Sequence, residues 1–288
     1  MMRRKKFTLR LPSRTLRLGE RTLIMGVLNV TPDSFSDGGQ YAECGAAVER
    51  AIEIERAGAD ILDIGGESTR PGSSEITAQE EMERVLPVLK ALRGRLKIPI
   101  SIDTQKAEVA EAAAAAGAEI INDISALRCG PELAEIAGRR RLPIILMHMR
   151  GNPRTMQKGP FARNVIAEVV RGLCEAAARA KRAGIAQSQI ILDPGIGFGK
   201  NYAQNFELLA RLPELARLAF PLVIGTSRKA FIGDALGGAP AERRIWGTAA
   251  TVAASILGGA HIVRVHDVAE MAQVAAVADR IAGAGPKR

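Results

Sequence analysis

Aromatic side chains are scarce in this 288-residue chain, which has one Trp, two Tyr and seven Phe. That scarcity speaks against the base-stacking surfaces with which single-stranded nucleic-acid binders hold their ligands. Cysteine is scarcer still. Cys44, Cys129 and Cys174 are odd in number, far apart and form no Cys-x-x-Cys pair. This excludes a disulfide framework and a zinc knuckle, and it fits a reducing compartment. The basic start is not followed by an apolar segment with a small-residue cleavage site, so the expectation is no secretory leader and a cytoplasmic location. Long apolar runs are also lacking. The stretch from Ile245 to Val263 has no Asp, Glu, Lys or Arg, but Gly247, Thr248, Thr251, Ser255, Gly258, Gly259 and His261 dilute it. It reads as a buried helix ending at Gly258-Gly259 followed by a strand, and no membrane association is expected.

What is present is an ordinary globular composition, 47% hydrophobic and 25% charged. A domain of this length buries roughly three quarters of its unfolded surface and needs no staple. The formal net charge of +9 allows an anionic partner. Part of that charge sits in Arg3, Arg4, Lys5 and Lys6 and in Lys287 and Arg288, where a solvated tail accounts for it.

Short β-branched or aliphatic runs alternate with longer Ala-, Glu- and Arg-rich stretches, joined by Gly, Pro, Asn and Asp. The pattern predicts eight strands near residues 22–28, 60–64, 98–102, 119–122, 143–147, 190–193, 221–225 and 261–265. Helices are predicted near 42–57, 76–93, 106–116, 131–140, 161–183, 203–212, 241–257 and 267–283, with Pro213 ending the sixth. Several strands are continuously apolar, as strands of a parallel sheet covered by helices are. Eight such units predict an α/β fold, a (β/α)8 TIM barrel, ahead of a doubly wound open sheet. Residues 7–18 alternate apolar with polar around Pro12-Ser13 and predict a short N-terminal β-hairpin. No linker-like segment interrupts the interior, so residues 1–288 are expected to form one domain, with 1–20 as its tail and hairpin.

Active sites of such barrels lie where strands end and loops begin. Here every strand end carries a hydrogen-bonding side chain: Asn29, Asp63, Asp103, Asn122 with Asp123, His148, Asp193, Ser227 with Arg228 and Lys229, and Arg264 with His266 and Asp267. A single Asp or Asn there is ordinarily a helix cap. Eight such ends together outline a barrel mouth suited to a flat hydrogen-bonding ring with a phosphate group attached. Asp103, Asn122 and Asp193 can converge near the axis, where a carboxylate accepts paired N–H bonds and an amide offers a donor beside an acceptor. Asn29, Arg264 and His266 lie on strands one and eight, neighbours in a closed barrel. They make an anion site, with the Asn29 oxygen available to Mg2+ carried by a diphosphate. The run Gly195-Ile-Gly-Phe-Gly-Lys200 is not a Walker A loop, because Pro194 and Asn201 stand where that motif needs Gly and Ser or Thr. Its glycines instead let the loop pass close to a planar ligand, with Phe198 as an apolar wall.

The ordered set of motifs resembles the dihydropteroate synthases of folate biosynthesis from about Leu23 to Val268. Its two most specific blocks are Gly26-Val-Leu-Asn-Val-Thr-Pro-Asp-Ser-Phe-Ser-Asp-Gly-Gly39 and Asp63-Ile-Gly-Gly-Glu-Ser-Thr-Arg-Pro-Gly72. Then follow Ser101–Thr104, Ile121–Ile124, Leu146–Met149, Asp193–Lys200, Gly225–Lys229 and Arg264–Asp267. The resemblance implies transfer of a pterin-methyl group from 6-hydroxymethyl-7,8-dihydropterin diphosphate to p-aminobenzoate, with release of pyrophosphate and competitive inhibition by sulfonamides. It implies that Asp103, Asn122, Asp193 and Lys229 bind the pterin and that Asn29, Arg264 and His266 hold diphosphate and Mg2+. It further implies that Thr69, Arg70 and Ser227 add contacts to diphosphate or p-aminobenzoate, that Phe35 and Pro71 wall the p-aminobenzoate site, and that Asp37 meets Arg70 when the loops after strands one and two close. Asp103, Lys229, Asp37 and Arg70 are the expected catalytic set. The family resemblance also implies a stand-alone homodimer packed through the last helices.

Two other readings compete. A related pterin-binding barrel passes a methyl group to a corrinoid cofactor, but that chemistry has no need of the Ser-Phe-Ser-Asp-Gly-Gly and Ser-Thr-Arg-Pro-Gly loops, both intact here. A silent barrel binding nucleic acid through its basic surface would lack aromatic support and any known nucleic-acid motif.

Overall fold

The computed structural model describes residues 4–31, 39–68, 75–152, 155–157, 159 and 161–284, with backbone alone for 39–42. Eight parallel strands run β3 (Leu23–Asn29), β4 (Ile61–Gly65), β5 (Ile100–Asp103), β6 (Ile120–Asp123), β7 (Ile144–Met147), β8 (Ile190–Asp193), β9 (Val223–Ile224) and β10 (Ile262–Val265). Their order in the sheet is β8-β7-β6-β5-β4-β3-β10-β9, and a parallel bridge from Leu192 to Leu222 brings the two edges together. The result is a nearly closed (β/α)8 barrel. Its helices are α1 (Gly39–Arg56), α2 (Ala78–Leu92), α3 (Ala107–Ala116), α4 (Glu132–Arg140), α5 (Val165–Arg182), α6 (Tyr202–Ala210), α7 (Leu212–Ala216), α8 (Ala230–Ala235), α9 (Ile245–Leu257) and α10 (Val268–Gly283).

The expected hairpin is β1 (Phe7–Arg10) paired antiparallel with β2 (Thr15–Leu18), Phe7 opposite Leu18. It plugs the barrel floor. Leu9, Leu11 and Leu18 are buried in one cluster with Met25, Ile61, Ile120, Ile145, Ile191, Val223 and Ile262 from the strands. Because side chains alternate faces with period two, the residue two further along each strand faces the same interior. Ile61, Ile120, Ile191 and Ile262 are thus followed by Asp63, Asn122, Asp193 and Arg264. One step of the pleat turns an aliphatic floor into a polar chamber.

Two helix starts carry full capping boxes, Thr77 with Glu80 and Asn201 with Gln204. Pro213 does more than end the sixth helix. Helix α6 ends after Ala210, and Pro213 occupies the first turn of α7, where its missing N–H costs nothing. The short α8 lies in a stretch with no predicted helix, and β9 keeps two of the five residues expected of it. Among the described residues, no helix is long and apolar enough to cross a membrane.

Candidate active site

At the C-terminal mouth of the barrel, β4, β5, β6 and β10 bring four polar side chains into one hydrogen-bonded group. Asp63 is fully buried; its Oδ2 accepts from Asn122 Nδ2 at 3.1 Å and from Arg264 Nε at 2.6 Å. The second arm of the guanidinium donates to Asp103 Oδ2 at 2.8 Å. One arginine therefore spans two carboxylates, which its rigid fork does better than a lysine would. Burial pushes Asp103 up to about 7, against the lowering field of Arg264. Burial also opposes the charge on Arg264, but Asp63 and Asp103 outweigh it and raise the guanidinium pKa. Asp63 Oδ1 and Ser101 Oγ are buried acceptors with no hydrogen-bond partner among the described residues. Such groups are costly unless a ligand satisfies them.

Beside this group, β8 ends in Asp193, whose Oδ1 accepts from Gly195 N at 2.7 Å. Burial raises the Asp193 pKa, with the Lys229 charge opposing. Lys229 donates to the Ile196 carbonyl, and its ammonium lies 4.6 Å from the centre of the Phe198 ring, a cation–π contact. Burial brings Lys229 down to about 8, Asp193 holding it up. The loop can pass this close only as glycine: a Cβ on Gly197, at φ +86°, would stand 3.0 Å from Lys229 Cδ.

On the other side of the mouth, Ser227 Oγ accepts from His266 N at 3.1 Å and lies 3.0 Å from His266 Nδ1. Asn29 ends β3 opposite Gly65, where an added Cβ would reach both Asn29 Oδ1 and Asp103 Oδ2 within 4 Å. The absent side chain keeps a gap between the amide and the carboxylate. The structure thus gathers Asn29, Asp103, Asn122, Asp193, Phe198, Ser227, Lys229, Arg264 and His266 at one barrel end. Phe35, Asp37, Thr69, Arg70 and Pro71 lie outside the described residues.

Some strand-end residues are structural. Asp123 closes an Asx-type turn, accepting from Ser125 N at 2.7 Å and Leu127 N at 2.6 Å. Arg228 pairs with Asp267. His261 accepts from Leu222 N through Nδ1 and meets the Lys5 carbonyl through Nε2, and burial lowers it to about 4. Asp63 was visible as a strand end, but its place at the centre of the chamber depends on barrel closure. The period-two step from buried Ile61 is the signal that marks it.

A nearly closed barrel whose mouth sets carboxylates and an amide beside cations is the arrangement of a pterin-binding enzyme, and residues 25–266 match the family model described as pterin binding enzyme. The chain belongs to that family. Within it, the chain is 51% identical over 258 residues to the dihydropteroate synthase of Synechocystis sp., covering 90% of this chain and 89% of that one. The fold is similar to a Xanthomonas albilineans dihydropteroate synthase structure with 4-aminobenzoic acid, with a TM-score of 0.91 and 42% identity over 98% of this chain and all of that one. It is also similar to a Yersinia pestis dihydropteroate synthase in a sulfonamide drug complex, with a TM-score of 0.90 and 43% identity over 96% of this chain and 100% of that one.

Proposed function

We infer that this chain is a transferase, a dihydropteroate synthase of folate biosynthesis. It condenses 6-hydroxymethyl-7,8-dihydropterin diphosphate with p-aminobenzoate to 7,8-dihydropteroate and pyrophosphate, working in the cytoplasm as one domain over residues 1–288. The observation that carries this reading is the polar chamber above the aliphatic floor, with the open acceptor of Asp63 beside Asp103, Asn122 and Asp193. The edge of a pterin ring presents adjacent N–H donors, and those oxygens can take them. Phe198 and Lys229 flank the ring.

The bond from the pterin methylene to the diphosphate oxygen breaks, and its electron pair leaves with pyrophosphate. The amine nitrogen then bonds the methylene and passes its proton to the departing pyrophosphate. An ionised Asp103 stabilises positive charge developing on the ring by its field. Arg264, His266 and Ser227 receive the departing anion, with Thr69 and Arg70 adding contacts, while Phe35 and Pro71 wall the amine and Asp37 closes against Arg70. Loop closure excludes water that would compete for the cation.

Among the described residues, no group of three or more His, Cys, Asp or Glu could hold a metal. A Mg2+ ion that arrives on a diphosphate and keeps several waters needs few protein ligands, so the single amide oxygen of Asn29 suits it. When bound, it neutralises charge on the leaving group.

A sulfonamide is expected to raise the apparent KM for p-aminobenzoate without lowering kcat when pterin diphosphate is saturating. Inhibition that p-aminobenzoate cannot overcome would place the amine site elsewhere. The exposed faces of α9 and α10 support a homodimer, because Trp246 is 81% exposed and Val277 61%. Sedimentation at the mass of two 30.7 kDa chains is the expected result, and a monomer under assay conditions would refute it.

A further inference from the structure

Lys200 closes the glycine-rich run and has no part in the chemistry above, but it is 2% exposed. Its ammonium donates to the carbonyls of Gly195 and Phe198, each at 2.9 Å, and to that of His148 at 3.3 Å, and lies 3.1 Å from His148 Nδ1. Burying an ammonium is costly, and this one is met by backbone carbonyls and an imidazole. Those contacts constrain the backbone. Gly195 and Phe198 bracket Ile196, whose carbonyl takes the Lys229 ammonium, and Phe198 is the ring beneath that ammonium. His148 ties the cage to β8, since its N–H donates to the Asp193 carbonyl at 2.8 Å. Gly195 must approach closely for this to work: at φ +65°, a Cβ there would stand 2.0 Å from the His148 carbonyl oxygen.

We propose that Lys200 is a positioning residue for the pterin: its ammonium, caged by Gly195, Phe198 and His148, fixes the loop that presents Phe198 and holds Lys229 against the ring site. This rests on the pterin reading of the chamber. Lys200 touches neither substrate and acts through the loop. His148 serves the cage in the neutral form, with Nδ1 accepting and the proton on Nε2; burial first, and then the Lys200 charge, push its pKa down to about 3.

The test is a comparison of Lys200→Met, which keeps the length of the side chain and removes the ammonium, with the wild type. At a temperature where both are folded, calorimetry is expected to show pterin diphosphate binding weakened about tenfold or more, the loss of several hydrogen bonds to a charged donor. The KM for p-aminobenzoate at saturating pterin diphosphate should stay within about twofold, since Lys200 is proposed to act through the pterin site alone. A folded variant with wild-type pterin affinity, or one that loses both substrates equally, overturns the proposal. Should Lys200→Met fail to fold, His148→Phe removes one cage acceptor and keeps the carbonyls; a loss of roughly three- to tenfold confined to pterin is expected, and an unchanged affinity overturns the proposal. Failure of the wild type itself to bind pterin diphosphate would instead defeat the functional reading, so the two failures are distinguishable.

Discussion

Asp193→Ala is expected to weaken pterin binding by roughly 30-fold or more while the barrel stays folded. Truncating one partner of a buried, charge-assisted hydrogen-bonded pair costs about 2–5 kcal/mol, a weakening of roughly 30- to several thousandfold. Two consequences add. The Gly195 N–H loses its acceptor, and Lys229 loses the carboxylate that holds its pKa as high as about 8 against burial. Lys229 should then lose its proton below pH 8, and pterin affinity should fall further as pH rises. Asp123→Ala is the matched control, since that carboxylate caps a turn two strands over. It should lower the melting temperature and leave the pterin affinity of the folded protein alone. Calorimetry with pterin diphosphate on both variants checks the pair; an unchanged affinity for Asp193→Ala would remove Asp193 from the pocket.

Arg264→Met is expected to damage folding as well as turnover. The guanidinium, itself 24% exposed, is the shared counter-ion of Asp63 and Asp103, and removing it leaves the fully buried Asp63 carboxylate unpaired, which typically costs about 3–5 kcal/mol. In a domain of this size that corresponds to a fall in melting temperature on the order of 10 °C. The sign of its pH dependence follows from Asp103. Its folded pKa of about 7 lies above the ordinary 3.8, so the native state holds the proton more tightly than the unfolded chain. That contribution to stability is present at low pH and is lost as pH rises from about 4 to 7. Without Arg264 the carboxylate is pushed higher still and the loss extends above pH 7. Urea melts should therefore show the variant's deficit growing between pH 5 and pH 8, and a deficit independent of pH would contradict the shared counter-ion. Arg264→Lys retains the charge but not the fork, and should recover part of the stability.

The barrel was legible because its strands and helices have different periods, and strand ends were placed to within about two residues. Asp103, Asn122 and Asp193 could be grouped from sequence because each ends an apolar strand, and strand ends of a barrel converge. Pairings across the chamber were less accessible. Arg264 reads from sequence as part of an anion site beside Asn29 and His266; that its guanidinium lies between Asp63 and Asp103 depends on barrel closure, since the three residues come from three strands. Lys200 was hidden for a different reason. It sits in a motif whose glycines suggest a ligand, and only the folded loop turns its ammonium inward to the carbonyls of its own turn. The helix break at Pro213 shows that a proline can start one element as it ends another.

The most direct test of the account is pyrophosphate release from 6-hydroxymethyl-7,8-dihydropterin diphosphate with Mg2+, measured with and without p-aminobenzoate and followed by mass detection of the product. Release that depends on the amine and yields 7,8-dihydropteroate in equal amount is the predicted result. Tight pterin binding with no amine-dependent product would contradict it, and would leave the chamber as the pterin site of a methyl-transferring barrel of the corrinoid-linked kind.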